Sequence, residues 1–76
     1  MKLFAGMRAQ KELKQILHEL QQYLSNNYKE PAHKERQRLI ARTEELYLAG
    51  VLSEKDYRYW CSLGEEYTRK MADYHH

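Results

Sequence analysis

The 76-residue sequence has one cysteine, one proline and three glycines, and it contains no long uninterrupted apolar run. A single cysteine excludes an internal disulfide, and one cysteine with four scattered histidines lacks the ligand spacing of a zinc site. Such sparse cysteine is typical of a reduced, intracellular setting, so we expect a cytoplasmic protein. The apolar patch near the N-terminus is too short for a membrane span or a signal sequence, and we expect neither.

An excess of charge of one sign is also missing, since thirteen basic residues stand against eleven acidic ones. A nucleic-acid-binding domain of this size usually carries a larger basic excess on one face. A chain this short forms one domain that buries only roughly 60 % of the surface exposed by its unfolded form. There is little room for a shielded cavity, so we expect no cofactor site.

Three segments repeat apolar residues at helical steps of three and four, and none alternates with a period of two. The stripe of the first segment consists of Leu13, Leu17, Leu20 and Leu24, widened by Ile16 and Tyr23. The stripe of the second consists of Leu39, Thr43 and Leu46. The stripe of the third consists of Tyr57, Trp60, Gly64, Tyr67, Met71 and Tyr74. We predict an all-α fold in which residues 1–76 form a single three-helix bundle, with helices near 8–25, 31–49 and 53–74. The first helix can also reach back to Leu3, with Gly6 as a weak point.

The segment "LYLAGVLSEKDYRYW", residues 46–60, predicts a tight helix-turn-helix corner at residues 50–53. Gly50 is the expected left-handed residue just past a helix end, and Val51 would then contact Leu46. Ser53 is an N-cap with Asp56 three residues later, as in a capping box. At the first junction, Asn26 or Asn27 can end the first helix and Pro31 suits the first position of the second.

A helix-turn-helix corner is also found in DNA readers, but this one has the wrong charge for that role. Glu54 and Asp56 stand where contacts to bases and phosphates would be needed, and negative charge there opposes a polyanion. Tyr57 and Trp60 have the character of core anchors. We therefore predict a structural corner.

A basic row on the second helix keeps nucleic-acid binding as the alternative function. Lys34, Arg38 and Arg42 recur at steps of four, with Arg36 nearby, and such a row can follow a phosphate backbone. The favoured interpretation is a solvated face. In that interpretation the charges are neutralised by Glu35, Glu44 and Glu45.

Seven tyrosines and one tryptophan are many for so small a chain, and the third helix carries more apolar surface than one seam uses. Half-exposed aromatic side chains are typical anchors of protein interfaces. We therefore predict binding to another protein, or to a second copy of the chain as a homodimer. The predicted contact surface consists of Leu48, Tyr59, Leu63, Tyr67, Met71 and Tyr74.

Catalysis has little support in the sequence. Cys61 follows Trp60 on the apolar side of the third helix, which favours a small buried residue over a nucleophile. Neighbouring acids such as Glu44 and Glu45 lie side by side in the chain rather than on one helix face, which suits solvation better than acid–base chemistry. We predict that the protein is not an enzyme.

Residues 44–60 resemble the short helical hairpin called SHOCT. The matching positions are Leu46, Gly50, Val51, Leu52, Ser53, Glu54, Asp56 and Tyr57. The resemblance covers about a fifth of the chain and implies association with other chains rather than catalysis. The sequence departs from that pattern at Trp60 and Cys61, in its longer third helix and in its whole first helix. A Tyr-rich, charge-dense helical chain of this size is also similar in type to small bacterial or phage regulators.

Overall fold

The computed structural model confirms the all-α, three-helix prediction. It describes residues 2–72, with side chains from residue 4 onward, as α1 (Lys2–Ser25), α2 (Lys29–Leu48) and α3 (Glu54–Ala72). No strand occurs within that range. The first helix extends past residue 8 to Lys2, in agreement with the expectation that it can reach back to Leu3. Within residues 2–72, no helix combines the length and the apolarity that crossing a membrane would require.

The three helices are arranged with α2 packed against both α1 and α3. Hydrogen bonds between side chains also join α1 to α3: Trp60 Nε1 donates to Gln10 Oε1 at 2.8 Å, and Gln21 Nε2 donates to the Tyr67 hydroxyl at 3.0 Å. The residue numbers of both helices increase from the first hydrogen bond to the second, so α1 and α3 run parallel to each other. Helix α2 connects them and runs antiparallel to both.

The hydrophobic core consists of one row from each helix and one residue of the corner. Its buried members are Ala9, Leu13, Ile16, Leu20, Ala32, Leu39, Leu46, Leu52, Trp60, Tyr67 and Met71, together with Thr43 and Gly64. On α1 the predicted central row was partly wrong, because Ile16 is buried while Leu17 and Leu24 are only partly buried. The apolar stripe of α1 is wide, and the positions of α2 and α3 decide which of its rows is covered.

The corner has the geometry that its sequence predicts. Gly50 takes a positive φ of 78°. Its N–H donates to the Tyr47 carbonyl at 3.0 Å and the Val51 N–H donates to the Leu46 carbonyl at 3.1 Å. These two bonds form a Schellman motif, which satisfies carbonyls left free at the helix end. Ser53 Oγ then accepts the Asp56 N–H at 3.1 Å, so the N-cap is confirmed.

The first junction uses the same motif without a glycine. Asn27 takes a φ of 59°, and the Tyr28 N–H donates to the Tyr23 carbonyl at 2.9 Å. The rings of Tyr23 and Tyr28 lie 6.4 Å apart, as the accompanying apolar contact. The prediction for Pro31 was wrong by two positions, because α2 begins at Lys29. Proline is tolerated there because the N–H groups of a first helical turn have no partner within the helix.

Helices α2 and α3 pack in a regular antiparallel register. Arg36 Nη1 donates to Thr68 Oγ1 at 3.1 Å, and the rings of Tyr47 and Tyr57 stack with centroids 4.0 Å apart. Between these two contacts, Ile40 faces Gly64, and a Cβ on that glycine would lie 3.0 Å from Ile40 Cγ1. The steps between contacts are four and then seven residues on both helices. Gly64 therefore marks a close approach between the two helices.

Candidate protein-interaction surface

The residues predicted to form a contact surface on α3 do not all share one surface. Leu48 is 76 % exposed and Tyr59 is 58 % exposed, while Leu63 is partly buried against the core. Tyr67 and Met71 were wrongly included. Their side chains are 7 % and 1 % exposed because they lie on the row of α3 that faces the other helices. Tyr74 lies outside the described residues.

Exposed large apolar side chains are concentrated at one end of the bundle. We call five of them the corner-end residues: Phe4, Met7, Tyr47, Leu48 and Tyr59. They belong to the first turns of α1, the last turn of α2 and the first two turns of α3. These helix ends lie together, because the Val51 carbonyl oxygen is 3.3 Å from where a Cβ on Gly6 would be. Among residues 4–72 only Tyr28 and Ile40 are large, apolar and comparably exposed elsewhere.

Phe4 and Met7 were not predicted as surface residues, because the apolar stripe of the first helix was followed only from Leu13 onward. The available signal was the apolar content of residues 3–7, which is visible once the helix is extended to the N-terminus. Leu48 and Tyr59 were found because both fall off the stripe of their own helix.

A groove between α2 and α3 was not predicted. Its volume is about 160 Å³, and its lining consists of Ile40, Thr43, Glu44, Tyr57, Trp60, Cys61, Glu65 and Thr68. The stacked Tyr47 and Tyr57 rings close one end, and the Arg36–Thr68 hydrogen bond lies at the other. The signal in the sequence is a second row on α3, formed by Tyr57, Cys61, Glu65 and Thr68 at steps of four, four and three.

The two rims of this groove each carry a carboxylate, and the Arg36 guanidinium lies at one end of it. Glu44 on α2 and Glu65 on α3 form no ion pair among the described residues. Inside the groove, the neighbouring Cys61 raises the pKa of the Tyr57 hydroxyl, and burial and the Glu44 carboxylate raise it further. The Tyr57 hydroxyl is therefore protonated at neutral pH. Over the same described range, no three His, Cys, Asp or Glu side chains converge as metal ligands would.

The basic row of α2 is mostly engaged within the molecule. Arg42 donates through Nε and Nη2 to the two carboxylate oxygens of Glu12 on α1, and its Nη1 lies 3.4 Å from Glu45. Arg38 lies 3.5 Å from Glu35 and 3.8 Å from Glu19.

The remaining two cations of the row differ from each other. Arg36 is half-buried beside Thr68, whereas Lys34 is exposed. Neutralisation by Glu35 and Glu45 is confirmed. Glu44, also predicted to neutralise the row, faces the groove on the other side of α2. The partners on α1 are non-local in sequence, so the spacing within α2 did not reveal them.

The Glu12–Arg42 pair predicts a pH dependence of stability. The Arg42 guanidinium lowers the pKa of Glu12 below its ordinary value. The folded state is therefore stabilised above the ordinary carboxyl pKa, and this contribution is lost as the pH falls through the lowered value. We expect Glu12→Gln to be less stable than the wild type at pH 7 and the difference to shrink as the pH falls through the lowered pKa of Glu12, as measured by urea unfolding at each pH.

A double-mutant cycle isolates this effect. Glu12→Gln, Arg42→Gln and the double variant should show coupling at pH 7 that disappears in acid. Coupling that persists unchanged at pH 3 would show that the pair acts through packing and not through charge.

No family model, curated protein or solved structure matches the chain, so the resemblance of residues 44–60 to the SHOCT hairpin stays a prediction.

Proposed function

We propose that this chain is a non-enzymatic regulatory module that binds another protein through the corner-end residues and the adjoining Leu63. The observation that carries the proposal is the gathering of exposed apolar side chains at one end of the bundle. Contiguous apolar surface is kept small on monomeric proteins unless a partner covers it. Aromatic residues such as Tyr47 and Tyr59 supply large contact area at low entropic cost.

The corner itself supports this role, because it holds the three helix ends in one arrangement. The Schellman motif at Gly50 and the cap at Ser53 fix the chain direction between Leu48 and Tyr59. A preorganised surface loses less entropy on binding. The SHOCT-like hairpin that includes this corner also implies association with other chains, and a role in a bacterial or phage cytoplasm belongs to the same proposal.

Nucleic-acid binding through Lys34, Arg36, Arg38 and Arg42 has less support as the alternative. A phosphate backbone needs accessible cations, and binding to it would compete with the Glu12, Glu19, Glu35 and Glu45 carboxylates that already contact Arg38 and Arg42.

The test is a pull-down from nuclease-treated lysate with matched tyrosine variants. Tyr59→Ser should reduce recovery of a specific protein partner by about tenfold or more, as loss of an interface anchor does. Tyr28→Ser is the control, because Tyr28 is 57 % exposed, close to the 58 % of Tyr59, but lies at the opposite end of the bundle. Circular dichroism should show both variants folded.

Three outcomes would count against the proposal. A partner retained equally by Tyr59→Ser and the wild type would place the contact elsewhere. A partner lost equally in both variants would remove the role of the corner end. Recovery of nucleic acid without nuclease, and of no protein after nuclease, would favour the basic row.

A further inference from the structure

We propose that the α2–α3 groove docks an amphipathic helix of another protein, with Lys or Arg residues flanking its apolar stripe. None of the residues that line this groove is a corner-end residue, although the ring of Tyr47, which is one, closes an end of it. This site shares with the proposed function only the premise that the ligand is a protein segment.

The shape of the groove fits a helix. Its α3 wall runs from Tyr57 to Thr68, which at the rise of an α-helix is roughly 16 Å, or three turns. The α2 wall lies alongside it over the same length, because the contacts of Arg36 with Thr68 and of Tyr47 with Tyr57 hold the two antiparallel helices in register. Two parallel helical walls with an apolar floor form the groove that receives a third helix.

The floor of the groove provides apolar contact area. Ile40 is 41 % exposed although it faces Gly64, where an added Cβ would lie 3.0 Å from Ile40 Cγ1, and Cys61 is partly exposed beside the buried Trp60. A helix lying over these side chains would cover apolar surface that is in contact with solvent in the described chain.

The charge of the rims selects a basic ligand. Five of the other carboxylates are in ion pairs: Glu12, Glu19, Glu35, Glu45 and Glu54. Within the part of the chain that the structure describes, Glu44 and Glu65 form no ion pair, and they stand on opposite rims of the groove. The chain as a whole carries a net charge of +2, so general attraction does not favour a cationic ligand. A preference for basic residues would therefore originate locally, at these two carboxylates.

The chain contains its own reporters for this site. Its single tryptophan and its single cysteine both line the groove. The probe is a synthetic amphipathic Leu/Lys peptide of about four helical turns without Trp, Tyr or Cys, and its comparator is the same peptide with Glu in place of Lys. Titration should change the Trp60 fluorescence saturably and slow the reaction of the Cys61 thiol with a maleimide. The Leu/Glu peptide should bind at least about tenfold more weakly.

Charge-neutralising variants locate the site. Glu44→Gln/Glu65→Gln should weaken binding of the Leu/Lys peptide roughly five- to tenfold, as expected for two partly screened ion pairs. Glu30→Gln/Glu66→Gln removes the same charge outside the groove lining and should change the Kd less than about twofold.

The proposal is overturned if the Leu/Glu peptide binds as tightly as the Leu/Lys peptide, if the two double variants have the same Kd, or if no saturable binding occurs. It is also overturned if Trp60 fluorescence and Cys61 reactivity change with protein concentration alone, because a second copy would then cover the groove. These results leave the comparison of Tyr59→Ser with Tyr28→Ser untouched, so failure of one proposal is distinguishable from failure of the other.

Discussion

Replacement of Trp60 by Ala should lower the free energy of unfolding by about 3 to 5 kcal/mol, the range for removal of a buried aromatic side chain. Trp60 is 2 % exposed, and its Nε1 donates to Gln10 Oε1 at 2.8 Å. The variant therefore loses core volume on α3 and a hydrogen bond that joins α3 to α1. Domains have roughly 0.05 to 0.15 kcal/mol of stability per residue, so for so short a chain the loss is a large part of the total.

Urea unfolding followed by far-ultraviolet circular dichroism measures this loss without relying on the tryptophan. Tyr59→Ala is the matched control, because it truncates the neighbouring aromatic residue, which is 58 % exposed. That variant loses only the edge-to-face contact of the Tyr59 ring with Trp60, and it should lower the stability by about 1 kcal/mol or less. A loss below about 1 kcal/mol for Trp60→Ala would show that Trp60 is not the core anchor on which α1 and α3 meet.

The corner was predictable because its signals are local. The Gly50 conformation, the Val51-to-Leu46 bond and the Ser53 cap all arise within eleven residues of chain, from 46 to 56. Each follows from backbone sterics or from helix-end groups that need partners, and no other part of the molecule is required. The burial of Trp60 on a row with Gly64 followed from helical periodicity in the same way.

The contacts that the sequence did not reveal are non-local. Arg42 meets Glu12 across 30 residues, and spacing within α2 carries no information about α1. The groove depends on the register of α2 against α3, which is known only when both helices are placed.

Tyr67 and Met71 illustrate a different difficulty. One apolar row was assigned both to the helix seam and to a partner surface, and in the structure burial against the other helices takes both residues. Excess apolar surface has to be counted from side chains that remain exposed after the core has formed. Counted in this way, the exposed apolar side chains place the candidate surface at the corner end of the bundle. Of the residues predicted for that surface, Leu48 and Tyr59 lie there.

A large side chain at Gly64 should be strongly destabilising, whereas a methyl group should not. A Cβ there would lie 3.0 Å from Ile40 Cγ1 and 3.6 Å from Ile40 Cδ1. In Gly64→Ala, the gain of roughly 1 kcal/mol in helix propensity should offset the free-energy cost of a small shift of Ile40. That cost is small because Ile40 is 41 % exposed and has room to move. In Gly64→Leu the added atoms would have to displace Ile40 or separate the helices, and we expect a loss of about 2 to 3 kcal/mol.

Compensation at Ile40 distinguishes this steric cause from a general effect on the helix. Ile40→Ala removes the Cγ1 and Cδ1 atoms that face Gly64, so Gly64→Leu should cost about 1 to 2 kcal/mol less in the Ile40→Ala background than in the wild type. Urea unfolding of the two single variants and the double variant measures this coupling. If the two losses simply add, then the penalty at Gly64 does not arise from the contact between α2 and α3. That result would contradict the close approach of these two helices, which form the walls of the groove.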